Sequence, residues 1–308
     1  MKDHWIKALL AVVEAGTIRG AARTMNLSQA ALTKALRELE QEVGVELLAR
    51  SYRGVRLTKA GRILHDRARA ARHQLRIAEA EIRALSGGTQ ETLSVGVTPM
   101  VALSVLPDVW THFRRLRPGV TLNLMEGLPS LVTPALTKGE LDFAVVMAEP
   151  ELLPATLQFE PLTQTRFMVV GREAHPSRGI SELATLLEQD HEWIFSLHLG
   201  SYSERVLNWM TSLGMARPRR IVDCNSTLSN WQLLRSTDML SIMPAVFFEP
   251  PSVGAQASGL APFDIPLPPA EVGILRLRHA PPSASADLLA ELFSLYLQKL
   301  TGASAGPA

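Results

Sequence analysis

Between residues 64 and 85 the apolar positions recur at alternating intervals of four and three: Leu64, Ala68, Ala71, Leu75, Ala78, Ile82 and Leu85. Such a seam, kept over three heptads among arginines and glutamates, specifies one long helix with a narrow apolar stripe. A rod of this kind cannot lie inside a small core, so it splits the chain into a front part and a back part. Thr58 caps its start, and Ser86, Gly87, Gly88 and Thr89 form a joint after it. The stripe either packs on its own domain or pairs two chains; pairing is the expectation, because the spacing is that of a coiled-coil seam.

Charge follows the same division. Residues 1–88 carry 16 Lys and Arg against 9 Asp and Glu, whereas the rest of the 308 residues carry 15 against 21. A basic head on an acidic body points to an anionic partner for the head alone, with nucleic acid the leading candidate. Cys224 is the single cysteine, which excludes an intrachain disulfide framework and a cysteine-rich zinc site. No early segment has the pattern of a secretion signal, and no apolar run approaches the ~18 residues of a membrane helix. A cytoplasmic protein without membrane contact is therefore expected.

The front segment reads as short helices. Trp5 to Glu14 puts Trp5, Ile6, Leu9, Leu10 and Val13 on one face and stops at Gly16, and a second helix spans Ile18 to Met25. Ser28 is placed as the N-cap of a third, Gln29 to Val43, which buries Ala31, Leu32, Ala35, Leu36 and Leu39 and ends at Gly44. Two β-prone pieces, Leu47–Ser51 and Val55–Leu57, flank Tyr52, Arg53 and Gly54 as a wing hairpin. Behind the joint, strands at Leu93–Val97, Val120–Glu126, Leu141–Met147, Phe167–Gly171, Trp193–Leu197, Arg220–Asp223 and Leu240–Met243 alternate with helices. These helices are Val101–Leu116, Leu131–Lys138, Ser203–Leu213 and Thr227–Ser236, with Asp287–Leu300 last, so the back part is α/β with parallel strands.

Residues 17–61 carry Ala21-Ala22, Leu27-Ser28-Gln29, Leu39-Glu40, Gly44-Val45 and a Leu57-Thr58-x-Ala60-Gly61 ending. This run resembles the signature segment of the LysR-type transcription regulators. The likeness continues through Leu93–Pro107, Gly139-Glu140-Leu141-Asp142 and Leu228–Pro244. Ala30 departs from it, standing where the family usually has Pro, as do Thr237 and Met239, where many relatives have glycine. His198–Ser203 with Ser236–Pro244 resembles a subgroup controlling aromatic acid catabolism.

The resemblance implies an N-terminal winged helix-turn-helix (1–58) and a linker helix with its joint (59–88). It also implies a two-lobed α/β effector domain like the periplasmic binding proteins, with lobe I from 89–162 and 265–300 and lobe II from 163–264. Residues 301–308 are expected to be a disordered tail. The expected partners are promoter DNA, a small-molecule effector, further copies of the chain as dimer and tetramer, and RNA polymerase if it activates.

Chemistry selects the candidate residues. Outside the apolar stripe of the third helix lie Gln29, Ala30, Thr33, Lys34 and Arg37. Gln pairs with adenine, Lys or Arg with guanine, and Ala or Thr meets a thymine methyl. Ser28 and Thr33 could instead hold phosphate. In the wing Arg50, Arg53 and Arg56 suit phosphate or the minor groove. Ligands of parallel sheets lie beyond the carboxyl ends of the strands. That rule selects Thr98-Pro99-Met100, Pro129-Ser130, Met147, Gly200-Ser201-Tyr202 and Asn225. The hydroxyls of Thr98, Ser130 and Ser201 could hold a carboxylate or sulfonate, while Met100, Met147 and Tyr202 face a ring. Each of these has routine capping or turn chemistry as its alternative. No phosphate loop, dinucleotide fingerprint, zinc-protease pair or nucleophile elbow occurs, so neither catalysis nor a cofactor is expected. A soluble binding protein or an enzyme on a related two-lobed scaffold is the rival, but neither needs the basic head or the heptad rod.

Overall fold

The computed structural model describes residues 1–51, 54–85, 91–198, 200–248 and 257–304. Tyr52, Arg53, the joint at 86–89, Leu199 and residues 305–308 lie outside them, as does the side chain of Arg50. The chain forms two compact units, Met1–Glu79 with His279–Pro281, and Ala80–Arg278 with Pro282–Ala308.

The first unit holds α1 (Asp3–Ala15), α2 (Ile18–Thr24), α3 (Gln29–Val43), the antiparallel hairpin β1 (Leu48–Ser51) and β2 (Gly54–Leu57), and the start of α4 (Lys59–Leu85). Trp5, Leu9, Val12, Ala21, Leu32, Leu36, Leu39 and Leu47 make its core. Val12 rather than Val13 completes the buried stripe of α1, and on α3 Ala31 is exposed and Ala35 half-buried, so Leu32, Leu36 and Leu39 alone form its buried stripe. The stops are glycines at positive φ, +68° at Gly16 and +78° at Gly44, where a Cβ would be strained.

Several motif residues acquire physical reasons here. Ser28 Oγ accepts the Ala31 N–H at 3.1 Å and caps α3. Glu40 Oε1 accepts the N–H groups of Leu47 and Leu48 at 2.8 and 3.1 Å, tying the hairpin to α3. Thr58 Oγ1 accepts the Gly61 N–H at 3.0 Å and donates to the Glu46 carbonyl, starting α4 against the hairpin. Along the heptad seam Leu64 is half-buried and Ala68 buried, whereas Ala71, Leu75, Ala78 and Ile82 are exposed.

The second unit contains two five-stranded sheets. The first orders its strands as β4 (Thr121–Glu126), β3 (Thr92–Val97), β5 (Phe143–Met147), β12 (Ala270–Leu277) and β6 (Leu157–Thr165). The second runs β11 (Leu260–Pro262), β7 (Phe167–Arg172), β10 (Leu240–Pro244), β8 (Glu192–Phe195) and β9 (Arg220–Asp223). Helices α5 (Pro99–Ser104), α6 (Leu106–Leu116), α7 (Pro129–Lys138) and α11 (Ala284–Ser304) accompany the first sheet. The second has α8 (Leu183–Glu188), α9 (Tyr202–Ser212) and α10 (Thr227–Ser236). The chain passes from the first sheet to the second at Arg166 and returns between Pro262 and Ala270. Gly139, at φ +73°, ends α7, and the buried Asp142 carboxylate accepts the Ser94 N–H at 2.8 Å. The Gly-x-Leu-Asp segment is thus a helix stop followed by a clamp on β3.

Four expectations need correction. The sheets are mixed rather than parallel, since β12 is antiparallel to β5 and to β6, and β7 to β10 and β11. The helix expected over 101–116 is two, α5 and α6, meeting at Val105, because Pro107 has no N–H to donate to a preceding turn. Strands β6, β11 and β12 and helix α8 were not anticipated. Pro161 breaks the strand pattern of β6 and is tolerated because β6 is an edge strand. Opposite it the register shifts at Gly273, where a Cβ would meet the Glu160 carbonyl oxygen at 2.2 Å. Finally, α11 continues to Ser304, so residues 301–304 are helical rather than part of a tail.

Candidate functional site

In the first unit, α3 presents Gln29, Ala30, Lys34 and Arg37 as exposed residues, with Thr33 half-buried. Together with Glu38 and Gln41 they line one shallow depression. The Thr33 hydroxyl donates to the Gln29 carbonyl at 2.8 Å, so its proton is committed to the helix backbone. Lys34 lies 3.9 Å from Glu38, an exposed pair at helical spacing that leaves the ammonium free to move. Arg56 on β2 is exposed. The arrangement is a row of donors and small groups on a rigid helix, its start set by Ser28 and its depth by Leu32, Leu36 and Leu39.

In the second unit a cavity of about 120 Å³ opens between the two sheets' helices. Pro99, Met100, Pro129, Met147, Gly200, Ser201, Tyr202 and Asn225 all line it, as do Ser196, Ser203, Cys224, Thr227, Asn230, Ser241 and Phe247. Thr98 and Ser130 are not among the lining residues. They stand next to it in sequence, at the starts of α5 and α7, and each buries a hydroxyl that has no hydrogen-bond partner. Ser201 is committed otherwise: its Oγ accepts the Glu204 N–H at 3.1 Å and donates to the Ser196 carbonyl at 2.6 Å. Capping therefore accounts for Ser201.

The aromatic wall is a stacked pair. Tyr202 and Phe167 lie with ring centroids 3.4 Å apart and planes at 12°. The Tyr202 hydroxyl donates to the Pro268 carbonyl at 2.6 Å, and burial pushes its ionisation well above the ordinary tyrosine value. It is a neutral donor fixed to the backbone, and what it offers the cavity is ring surface. First-turn residues of α5, α7, α9 and α10 all line this cavity. Among the described residues, no lining side chain is charged.

Sequence reasoning missed Asn230 and Ser241. Their signal is a polar residue inside an apolar element: Ser241 is buried in the strand Leu240-Ser241-Ile242-Met243. Asn230 donates through Nδ2 to Ser241 Oγ at 2.9 Å, and Ser241 donates to the Ile194 carbonyl at 2.9 Å. Among the described residues no cluster of His, Cys, Asp and Glu could hold a metal ion, and no helix is long and apolar enough to cross a membrane.

Two family profiles match this chain. "Bacterial regulatory helix-turn-helix protein, lysR family" covers residues 4–62, and "LysR substrate binding domain" covers residues 86–296. The HTH-type transcriptional regulator TdcA of Escherichia coli K12 is 26% identical over 286 residues, 92% of this chain and 90% of the relative. Among solved structures, full-length LysG from Corynebacterium glutamicum with bound effector Arg is 19% identical. It superposes with a TM-score of 0.61 over 97% of this chain and 99% of its own. A full-length OxyR variant from Pseudomonas aeruginosa is 21% identical, with a TM-score of 0.58 over 96% and 95%. These structures share the fold, a helix-turn-helix domain followed by a two-lobed α/β domain. The chain belongs to the LysR family: it is a DNA-binding transcription regulator with an effector-binding domain.

Proposed function

We propose that α3 lies in the major groove and reads base edges with Gln29, Ala30, Thr33, Lys34 and Arg37. Ser28, Arg50, Arg53 and Arg56 hold phosphates or enter the minor groove. The observation that carries this reading is the row on α3, exposed at Gln29, Ala30, Lys34 and Arg37 and half-buried at Thr33, whose residues are donors or methyl-bearing groups at helical spacing. The effector occupies the cavity between the lobes and is a small aromatic carboxylate or sulfonate. First-turn residues of α7, α9 and α10 in the lining favour an anionic group there, and Met100, Met147, Phe167, Tyr202 and Phe247 supply apolar walls for a ring.

Regulation is a population shift. The effector acts by binding one arrangement of the lobes more tightly than another, which alters how paired head domains engage neighbouring half-sites. Pairing runs along the α4 seam, where Leu75 is 61% exposed, and two such dimers form a tetramer in the cytoplasm. RNA polymerase is a further partner if the outcome is activation. The test is a gel shift of the full chain on the promoter region of its own gene at several salt concentrations. A sequence-specific, salt-sensitive shift is expected, and its absence on every nearby promoter at low salt overturns the reading.

A further inference from the structure

Of the three carboxylates on α3, two are engaged with the protein itself. Glu40 accepts the N–H groups of Leu47 and Leu48, and Glu42 pairs with the Met1 amino group. Glu38 instead lines the depression with Gln29, Lys34 and Arg37, and it is the one anionic side chain in that lining. A carboxylate on a face that meets a polyanion costs affinity for every duplex, whatever its sequence. Glu38 is nevertheless anchored there: the indole N–H of the buried Trp5 donates to Oε2 at 3.0 Å, and Oε1 lies 3.9 Å from the Lys34 ammonium. Lys34 is 77% exposed, so its ammonium is the mobile member of the pair.

We propose that Glu38 is a positioning residue that sets DNA specificity through Lys34, keeping the ammonium off phosphate and available to a base edge. The proposal rests on the reading of α3 as the base-reading helix. Lysine has three donors, so Lys34 can hydrogen-bond guanine O6 or N7 with Glu38 still beside it. A base edge is neutral and does not compete for the charge of the ammonium. A phosphate does compete, and reaching one parts Lys34 from Glu38 where little water is left to screen the loss. On a wrong sequence, where Lys34 finds no base acceptor, Glu38 therefore withholds a phosphate contact that the lysine alone would make. Phosphate contacts add affinity without sequence choice, so withholding one raises the ratio of specific to non-specific binding.

The experiment titrates the full chain, at several salt concentrations, with a duplex that it selects from a random pool and with a scrambled version of that duplex. The variants are Glu38→Gln, Lys34→Met and the two combined. Glutamine keeps a carbonyl that accepts from Trp5, so Glu38→Gln removes the charge and retains the anchor. Glu38→Gln is expected to lower the selected-over-scrambled affinity ratio about five- to tenfold and to steepen the salt slope on the scrambled duplex by about one. In the Lys34→Met chain the same substitution leaves both ratio and slope unchanged, which a merely structural or bulk-charge role would not produce. A ratio that Glu38→Gln does not lower, a fall that persists in the Lys34→Met chain, or an equal loss on both duplexes from Lys34→Met overturns the proposal. The reading of α3 survives those results while Arg37→Ala still lowers the ratio. If Arg37→Ala does not lower it, or no duplex is selected, that reading falls and the proposal with it.

Discussion

The indole N–H of Trp5 donates to Glu38 Oε2 at 3.0 Å, joining the first turn of α1 to the middle of α3. Glu38 stands one turn beyond Lys34 and lines the same depression as Gln29, Lys34 and Arg37. One carboxylate thereby anchors the helix and neighbours its proposed base-reading residues. Glu38→Ala leaves the indole N–H of the buried Trp5 without this partner, and is expected to lower stability by about 1–2 kcal/mol. A double-mutant cycle with Trp5→Phe in urea, followed on the first unit's unfolding, should return a favourable coupling energy. Additive losses would show that the bond contributes nothing.

Gly61 follows from the hairpin's approach to α4. A Cβ there would lie 2.0 Å from the Leu47 carbonyl oxygen, so even the smallest side chain forces backbone apart. Gly61→Ala should cost about 3 kcal/mol despite alanine's better helix propensity, because overpacking against backbone has no rotamer to escape into. Thermal unfolding of the variant measures it; an unchanged midpoint would mean that hairpin and helix do not meet so closely.

On DNA, Arg37 and Arg56 should fail differently. If Arg37 reads a base, Arg37→Ala loses about 1–3 kcal/mol on the cognate site and less on sites altered at that base. If Arg56 holds a phosphate, Arg56→Ala weakens all sequences alike and lowers the salt slope by about one. Binding titrations of both variants on cognate and scrambled duplexes separate the roles. A uniform loss for Arg37→Ala contradicts base reading.

The second unit should lose stability on mild acidification. His175 is buried; its Nδ1 accepts the Ser177 N–H at 3.1 Å, and its Nε2 donates to the Asp238 carbonyl at 3.0 Å. The ring is therefore held neutral. Burial chiefly lowers its basicity; the Asp238 carbonyl and carboxylate oppose this, while the neighbouring His191 and Arg178 reinforce it. His191 is lowered too, again by burial first. A base harder to protonate in the fold than in the unfolded chain costs nothing above its ordinary value of 6.5. Below that pH the unfolded chain takes up protons that the fold refuses, so stability falls as pH drops toward the lowered folded values. Urea midpoints should decline from pH 7.5 to pH 5.5, and less steeply in His175→Gln. An identical decline in both chains would rule out this histidine as the source.

Much of the fold was legible because its signals are local. Ser28 and Gly44 bound α3 where expected, and β9 and α10 occupy the spans read from their patterns, since a cap acts on N–H groups three residues away. The misses are non-local. Pro161 hid β6, whose tolerance for proline depends on lying at a sheet edge, and Gly273 in β12 matters only because Glu160 is packed against it.

The same division runs through the candidate sites. Composition and spacing alone determined a basic helical head, a heptad rod and an α/β body, because periodicity, capping and charge are properties of neighbours along the chain. Tertiary structure decided which polar groups meet. Ser201 became a cap, Thr98 and Ser130 fell outside the cavity lining, and Asn230 turned its NH₂ to Ser241 only because β8 delivers the Ile194 carbonyl from 47 residues away. A hydrogen bond has a direction, and that direction is set by whichever acceptor the fold brings alongside.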